Sequence, residues 1–317
     1  MKRILCIGEA LIDMICTDKE KPLSEGLHFI KKAGGAPTNV AAAIASFGGK
    51  VDLLAKVGND PFGQHLIDEL ASFNVSTKWI LKDNDHFTTL AFVSLMQNGE
   101  RDFYFNRGAD SYLNTSEIDM INVEEYSIIH FGSATAFLPG PLQAAYKKLL
   151  QHSGEKNIYI SFDPNYRSLL FQNDKQSFIE QSWNFLERCD FFKVSDEEAL
   201  MLTEKNTVNE AAAFFQSRLK SVFAITLGSN GALLGINDKA IHIPGIKINP
   251  VDTTGAGDAF VGAVLYQLSQ KKVSKAINFS VSDWEEVMLY GNKAGAKVCE
   301  YFGAMEALKH LNTLFQS

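Results

Sequence analysis

Two carboxylates, Asp252 and Asp258, flank the turn Gly255-Ala256-Gly257 within VDTTGAGDAFVGAVLYQL, which runs from Val251 to Leu268. Beyond the turn, Ala259, Phe260, Val261, Ala263, Val264, Leu265 and Leu268 leave almost no polar face. A helix of that composition must be buried nearly all round. Its amino end then holds the backbone N–H groups of Gly255, Ala256 and Gly257 inside the protein, where they and the helix dipole favour an anion. A carboxylate in the first turn beside them suggests a site where a phosphate meets a base.

A second glycine cluster lies near the amino end, in AGGAPTNVAAAIASFGGKVDLLAKVG. Gly34 and Gly35 let backbone approach a ligand closely, and Asn39 opens a helix of small residues. An asparagine there can donate to and accept from vicinal hydroxyls, or simply cap a tight turn. Other phosphate-binding patterns are missing. The chain has no Gly-x-x-x-x-Gly-Lys-Ser/Thr, no Gly-x-Gly-x-x-Gly after its first strand and no protein-kinase set. Nucleotide chemistry here requires another architecture.

The elements that must position these residues alternate. RILCIG (Arg3 to Gly8), VDLLAKVG (Val51 to Gly58), SIIHFG (Ser127 to Gly132), NIYISFD (Asn157 to Asp163), CDFFKVS (Cys189 to Ser195) and VFAITLG (Val222 to Gly228) read as strands. They are nearly continuous apolar runs, as expected of parallel strands covered on both faces. Between them TNVAAAIASFG, GQHLIDELASF, PLQAAYKKLLQH, QSFIEQSWNFLER and NEAAAFFQSRLK read as helices. The series predicts an open α/β fold with a mostly parallel sheet and helices on both faces. One region breaks the rhythm: TTLAFVSLMQNGERDFYF, Thr88 to Phe105, reads as a hairpin around Asn98-Gly99. With the irregular stretch from Met14 to Lys32 it reads as a small β-flap that closes over a substrate, the alternative being an ordinary surface hairpin.

Composition narrows the classes. The 317 residues are 46% hydrophobic and 21% charged, enough for one large or two modest globular domains. Lys plus Arg is 30 against 37 for Asp plus Glu, a net charge of −7. That balance argues against nucleic acid or anionic lipid as the main partner, while a local pocket of N–H groups can still hold a phosphorylated ligand. Cys6, Cys16, Cys189 and Cys299 are scattered, without metal or redox spacing, and read as buried thiols. Glu9 and Asp13 interrupt the apolar start MKRILCIGEALIDMI, and no run has the roughly 18 apolar residues of a membrane span. A reduced, cytoplasmic protein is expected.

GGAPTNVAAAIASFG…VG and DTTGAGDAFVGAVL together resemble the two signatures of the ribokinase (PfkB) family of carbohydrate kinases. The similarity extends through IGEALID, the flap hairpin, KVSDEE, TLGSNGA and GNKAGA, and so over essentially the whole chain. FNRGADSYL and DPNYR look most like fructokinases within the family. The resemblance implies a single ribokinase-like α/β domain over 1–317, with a β lid formed by about 14–32 and 88–107.

It also implies roles, residue by residue. Asp258 matches the catalytic base, and Gly255, Ala256 and Gly257 match the anion hole. Asp252 and Thr254 resemble a monovalent-cation site, presumed K+, completed by carbonyls near Val298 to Gly303. Thr226, Gly228 and Gly231 of TLGSNGALL, with Asn292 and the anion-hole Gly257, match positions beside ATP. Lys193 either meets ATP phosphates or snorkels from a strand end. Where the family often has Asn-x-x-Glu for Mg2+, this chain has Ser195-Asp196-Glu197-Glu198. Glu198 keeps the acid, acting through water, and the Ser195 hydroxyl stands where the amide would be. For the sugar, Asp13 at the end of the first strand, Gly34, Gly35 and Asn39 match hydroxyl-binding positions. Arg107 and Arg167 resemble fructokinase positions near the substrate, and Tyr104, in the run Phe103-Tyr104-Phe105, either covers the apolar face of the sugar or packs within its strand.

The expected activity is ATP-dependent phosphorylation of a sugar hydroxyl, with fructose at its 6-hydroxyl the leading substrate. A kinase of 2-keto-3-deoxygluconate is the alternative, followed by kinases of ribose or nucleosides and by a non-catalytic sugar-binding relative. The apolar flap face suggests a homodimer.

Overall fold

The computed structural model describes residues 2–18, 20–95, 101–171, 174–275 and 279–315. Its strands in chain order are β1 (Arg3–Ile7), β2 (Leu11–Cys16), β3 (Phe29–Gly34), β4 (Val51–Gly58), β5 (Ile80–Asp83), β6 (Leu90–Leu95), β7 (Arg101–Asn106), β8 (Tyr126–Gly132), β9 (Tyr159–Asp163), β10 (Phe191–Ser195), β11 (Val222–Thr226), β12 (Gly231–Ile236) and β13 (Lys239–Pro244). The helices are α1 (Ala36–Ser46), α2 (Pro61–Ser72), α3 (Thr115–Ile118), α4 (Pro141–Glu155), α5 (Lys175–Leu186), α6 (Asp196–Thr203), α7 (Val208–Arg218), α8 (Ala256–Gln270), α9 (Val281–Val298) and α10 (Ala304–Leu308).

The strands form two sheets. A nine-stranded sheet runs β13-β12-β11-β10-β9-β8-β1-β4-β5, and a four-stranded sheet runs β3-β2-β6-β7. From β11 to β5 the large sheet is parallel, while β12 and β13 add an antiparallel edge. The expected mostly parallel sheet is therefore present. The edge hairpin went unread because GALLGI and KAIHIP are short and lack the helix between them that marks a crossover.

Side-chain alternation on β1 explains the layering. Ile4 and Cys6 join a core shared with α1, α8 and α9, whereas Leu5 and Ile7 join the core under α4, α5 and α7 on the other face. Both faces are covered, so both alternating sets must be apolar. That requirement makes the strand an uninterrupted hydrophobic run.

The small sheet corrects two expectations. Asp13 is not at the end of the first strand: β1 stops at Ile7, and Asp13 lies within β2 of the small sheet, opposite Lys32 on β3. The break falls at Gly8, whose φ is 148°, just before Glu9 turns inward. The small sheet thus begins at Leu11, ahead of position 14. Its second hairpin, β6–β7, pairs Leu90 with Asn106 through Leu95 with Arg101, and the expected Asn98-Gly99 turn lies outside the described residues. All four cysteines are free and buried, as their spacing predicts. No helix among the described residues is long and apolar enough to cross a membrane.

Candidate active site

The apolar helix predicted after Gly257 is α8, buried from Ala259 through Leu265 and again at Leu268. Ser195, Thr207 and Ser280 cap α6, α7 and α9 with their side chains, whereas no side chain caps α8. Its amino end starts from Gly255 in the left-handed region, φ 81°, where a Cβ would also meet Ala304 Cβ at 2.6 Å. One donor differs from expectation. The Ala256 N–H is directed back to Thr253 O at 3.3 Å, so Gly255 and Gly257 lead the anion-facing turn.

Lys193, the middle residue of β10, sits against that turn: a β-carbon on Gly257 would lie 3.2 Å from its Nζ. The ammonium is buried and donates to Asp163 Oδ2 at 3.2 Å. Burial pulls the Lys193 pKa down, but Asp163, Glu198 and Asp258 outweigh it and hold the group charged, above its ordinary value. The reading of Lys193 as a surface-seeking side chain is thereby corrected. Neighbouring acids keep it in the interior.

Asp258 occupies the first turn of α8 and keeps a partial opening to solvent. Its Oδ2 accepts from Asn39 Nδ2 at 2.8 Å. Burial raises its pKa to about 6; the Asn39 hydrogen bond opposes that rise, Asp163 adds to it, and Arg167 and Lys193 oppose it. Asp13 behaves alike, pushed by burial to about 6 against the pull of Arg167. Arg167 is thus within electrostatic reach of both acids, with its own Nη1 donating only to Tyr166 O at 3.2 Å. Gly34 is matched to Asp13, because a β-carbon there would fall 2.1 Å from Asp13 Oδ2. Gly35, with φ 106°, lets the chain pass Glu9 O on its way into α1. Asn39 and Arg167 therefore lie near Asp258, and Arg167 also acts on Asp13, against which Gly34 packs.

A cavity of about 580 Å³ opens beside the start of α8. Thr226, Gly228, Gly231 and Asn292 line it as expected, and Ala256 and Gly257 close one end. Asn292 donates to Ile243 O and Pro244 O, which ties α9 to the β13 edge. The segment Ile246 to Pro250, Phe260 and Ala296 complete the wall and were not anticipated. Apart from Lys247 and Asn249 they are apolar residues, which carry no chemical signature in sequence. Asp163 was missed for a different reason. An acid ending an apolar strand was visible, but its partner Lys193 lies on another strand.

Several expected residues are otherwise engaged. Arg107 donates to Thr135 O and Pro139 O and pairs with Asp110, so its guanidinium braces the end of β7. Tyr104 is 60% exposed on β7. Ser195 and Glu198 form a capping box on α6, and Glu198 also accepts from the Tyr166 N–H at 2.7 Å. Both Glu198 oxygens hold backbone amides, so the residue fits a metal only through bound water. Asp252 accepts from the Thr254 N–H and hydroxyl and from the Gly303 N–H, while Cys299 O accepts from the Val251 and Asp252 N–H groups. Asp252 therefore meets the 298–303 backbone through the Gly303 N–H and the Cys299 carbonyl, and the expected cation ligands are engaged here with protein donors. No cluster of three acidic, histidine or cysteine ligands occurs among the described residues.

An acid in the first turn of a buried, side-chain-uncapped helix, with Ala256 and Gly257 of that turn lining a cavity of about 580 Å³, suits a phosphotransferase. The chain belongs to the pfkB family of carbohydrate kinases, whose profile matches residues 1–311. It is 34% identical over 313 residues to the probable fructokinase-2 of Arabidopsis thaliana, spanning 96% of this chain and 92% of that relative. A double-mutant fructokinase from Vibrio cholerae O395, solved with fructose, ADP and potassium ion, superposes with a TM-score of 0.82. It is 30% identical, over 97% of this chain and 95% of the other. A putative ribokinase II from E. coli, solved with ATP and Mg2+, gives a TM-score of 0.85 at 25% identity, over 99% of this chain and 98% of the other.

Proposed function

We propose that this protein is a fructokinase, transferring the γ-phosphoryl group of ATP to the 6-hydroxyl of D-fructose, with Asp258 as the base. The observation that supports the reading is Asp258 in the first turn of α8, whose leading residues Ala256 and Gly257 line the cavity, with Arg167 acting electrostatically on both Asp258 and Asp13. The sugar hydroxyl lies against Asp258 and attacks the γ-phosphorus. The hydroxyl oxygen bonds phosphorus, the bond to the β–γ bridging oxygen breaks, ADP leaves and the proton passes to Asp258. A carboxylate is a weak base for an alcohol, so it orients the nucleophile first and takes the proton late, as the O–P bond forms. Lys193 and the α8 turn stabilise the charge on the transferring group.

Asp13 and Asn39 bind sugar hydroxyls, and Arg167 holds Asp13 ionised. The cavity beside Thr226, Gly228, Gly231 and Asn292 takes the nucleotide. Mg2+ arrives with ATP as part of the substrate and meets Glu198 through water. K+ bound by Asp252, Thr254 and nearby carbonyls would steady the anion-hole loop. We further read the small sheet as a lid that closes over the sugar, its outer face as a dimer surface, and the protein as cytoplasmic. The identity of the relatives supports fructose over 2-keto-3-deoxygluconate.

The test compares wild type and Asp258→Asn in a coupled assay with fructose, 2-keto-3-deoxygluconate, ribose and adenosine. Fructose should give the highest kcat/KM. Asp258→Asn should retain ATP and fructose binding while kcat falls by about 10³ or more, the combined loss of base and orienting acceptor. Turnover surviving within a fewfold would remove Asp258 from the chemistry.

A further inference from the structure

Asn39 was expected to serve the sugar, yet its amide nitrogen is committed to the base. Nδ2 donates to Asp258 Oδ2 at 2.8 Å, and the side chain is only 7% exposed. Its other polar atom, Oδ1, is buried without any hydrogen-bond partner. A buried carbonyl oxygen left unsatisfied is costly, so a native site that retains one should supply a donor in a later state.

The packing of two helices imposes this contact. Asn39 and Ala43 lie four residues apart on α1, and Asp258 and Gly262 lie four apart on α8. A β-carbon at Gly262 would fall 2.5 Å from Ala43 Cβ and 3.2 Å from Val40 O. The helices therefore touch backbone to side chain one turn below the polar pair, and the i, i+4 spacing carries that closeness up to Asn39 and Asp258. The other groups facing Asp258 are Asp163 from the end of β9, Arg167 from the segment after β9 and Lys193 from the middle of β10. They act through space and do not fix the rotation of the carboxylate. Asn39 does.

We propose that Asn39 is the positioning residue of the catalytic base: its Nδ2 immobilises Asp258 Oδ2, leaving Oδ1 of Asp258 for the attacking hydroxyl, while its own Oδ1 accepts from a neighbouring hydroxyl of the same sugar. One amide thereby sets the base and the nucleophile in register. The inference rests on Asp258 being the base, as proposed above. It goes further by making Asn39 part of the proton-accepting unit.

The experiment measures kcat and KM for fructose across pH 5 to 9 in wild type, Asn39→Ala, Asn39→Ser and Asp258→Asn, with ADP binding and thermal melting as folding controls. Losing a hydrogen bond to a charged acceptor should move the acidic limb of kcat upward by about one pH unit in Asn39→Ala. At pH 7, kcat should drop about tenfold or more. Asn39→Ser, polar but too short to reach, should behave similarly and serves if the alanine variant fails to fold. A raised KM with the limb unmoved would reduce Asn39 to a sugar contact and overturn the proposal. If Asp258→Asn itself retains turnover, the base assignment has failed instead, so the two failures are distinguishable.

Discussion

At the scale of single residues, the site is built from groups held away from their ordinary charge preferences. Asp258 and Asp13 are both raised to about 6 by burial, with nearby cations opposing the shift. For Asp258 the folded pKa lies above the unbound value of 3.8, so its contribution to stability is complete below pH 3.8 and is lost as pH rises through about 6. Keeping an ionised base at pH 8 therefore costs the fold. Asp258→Asn should melt later than wild type at pH 8, by about 2 kcal/mol of stability, with the difference vanishing toward pH 4. Chemical denaturation at the two pH values measures this; equal stabilities at pH 8 would contradict the burial argument. The activity consequence runs the other way. With Asp258 as the proposed base, turnover should fall as pH drops below about 6.

At the scale of elements, the decisive feature is close packing of α1 on α8 through small side chains. The poly-alanine stretch Ala41 to Ala43 and Gly262 are all buried, and their lack of bulk lets the helix axes approach. Gly262→Val should force them apart, lowering stability by roughly 1–3 kcal/mol from overpacking. Because Asn39 and Asp258 ride on the same two faces, kcat for fructose should fall more than the population of folded protein does. Parallel melting and kinetics on the purified variant decide the point: full turnover per folded molecule would disconnect the helix contact from the site. The uncapped start of α8 belongs to this scale too. Asp258 stands in its first turn without capping it, which leaves the amide donors to a ligand.

At the scale of the whole molecule, a nine-stranded sheet is joined to a four-stranded sheet that carries Asp13. The two are tied at their junction by buried acids. Glu9 accepts from the Ala36 and Ala134 N–H groups and the Ser133 hydroxyl, and Asp110 accepts from the Thr89 and Thr135 hydroxyls. If the small sheet is a lid, fructose should slow amide hydrogen exchange in β2, β3, β6 and β7 while leaving β8 to β10 unchanged. Hydrogen-exchange mass spectrometry reads this directly, and identical uptake with and without sugar would remove the lid.

The sequence alone determined the alternating strands and helices, the buried α8 and the Asp258 turn. Each is a local pattern: apolar runs set by burial on both faces, and glycines required by backbone geometry. It also brought together both signatures, because each is contiguous. Only the tertiary structure decided what those residues touch. Lys193 faces the turn because Asp163, on a neighbouring strand, holds it there. Arg107 braces the backbone at Thr135 and Pro139. Asn39 meets Asp258, 219 positions away. Such contacts depend on how separate elements pack, and spacing within one element carries no record of the distance to another.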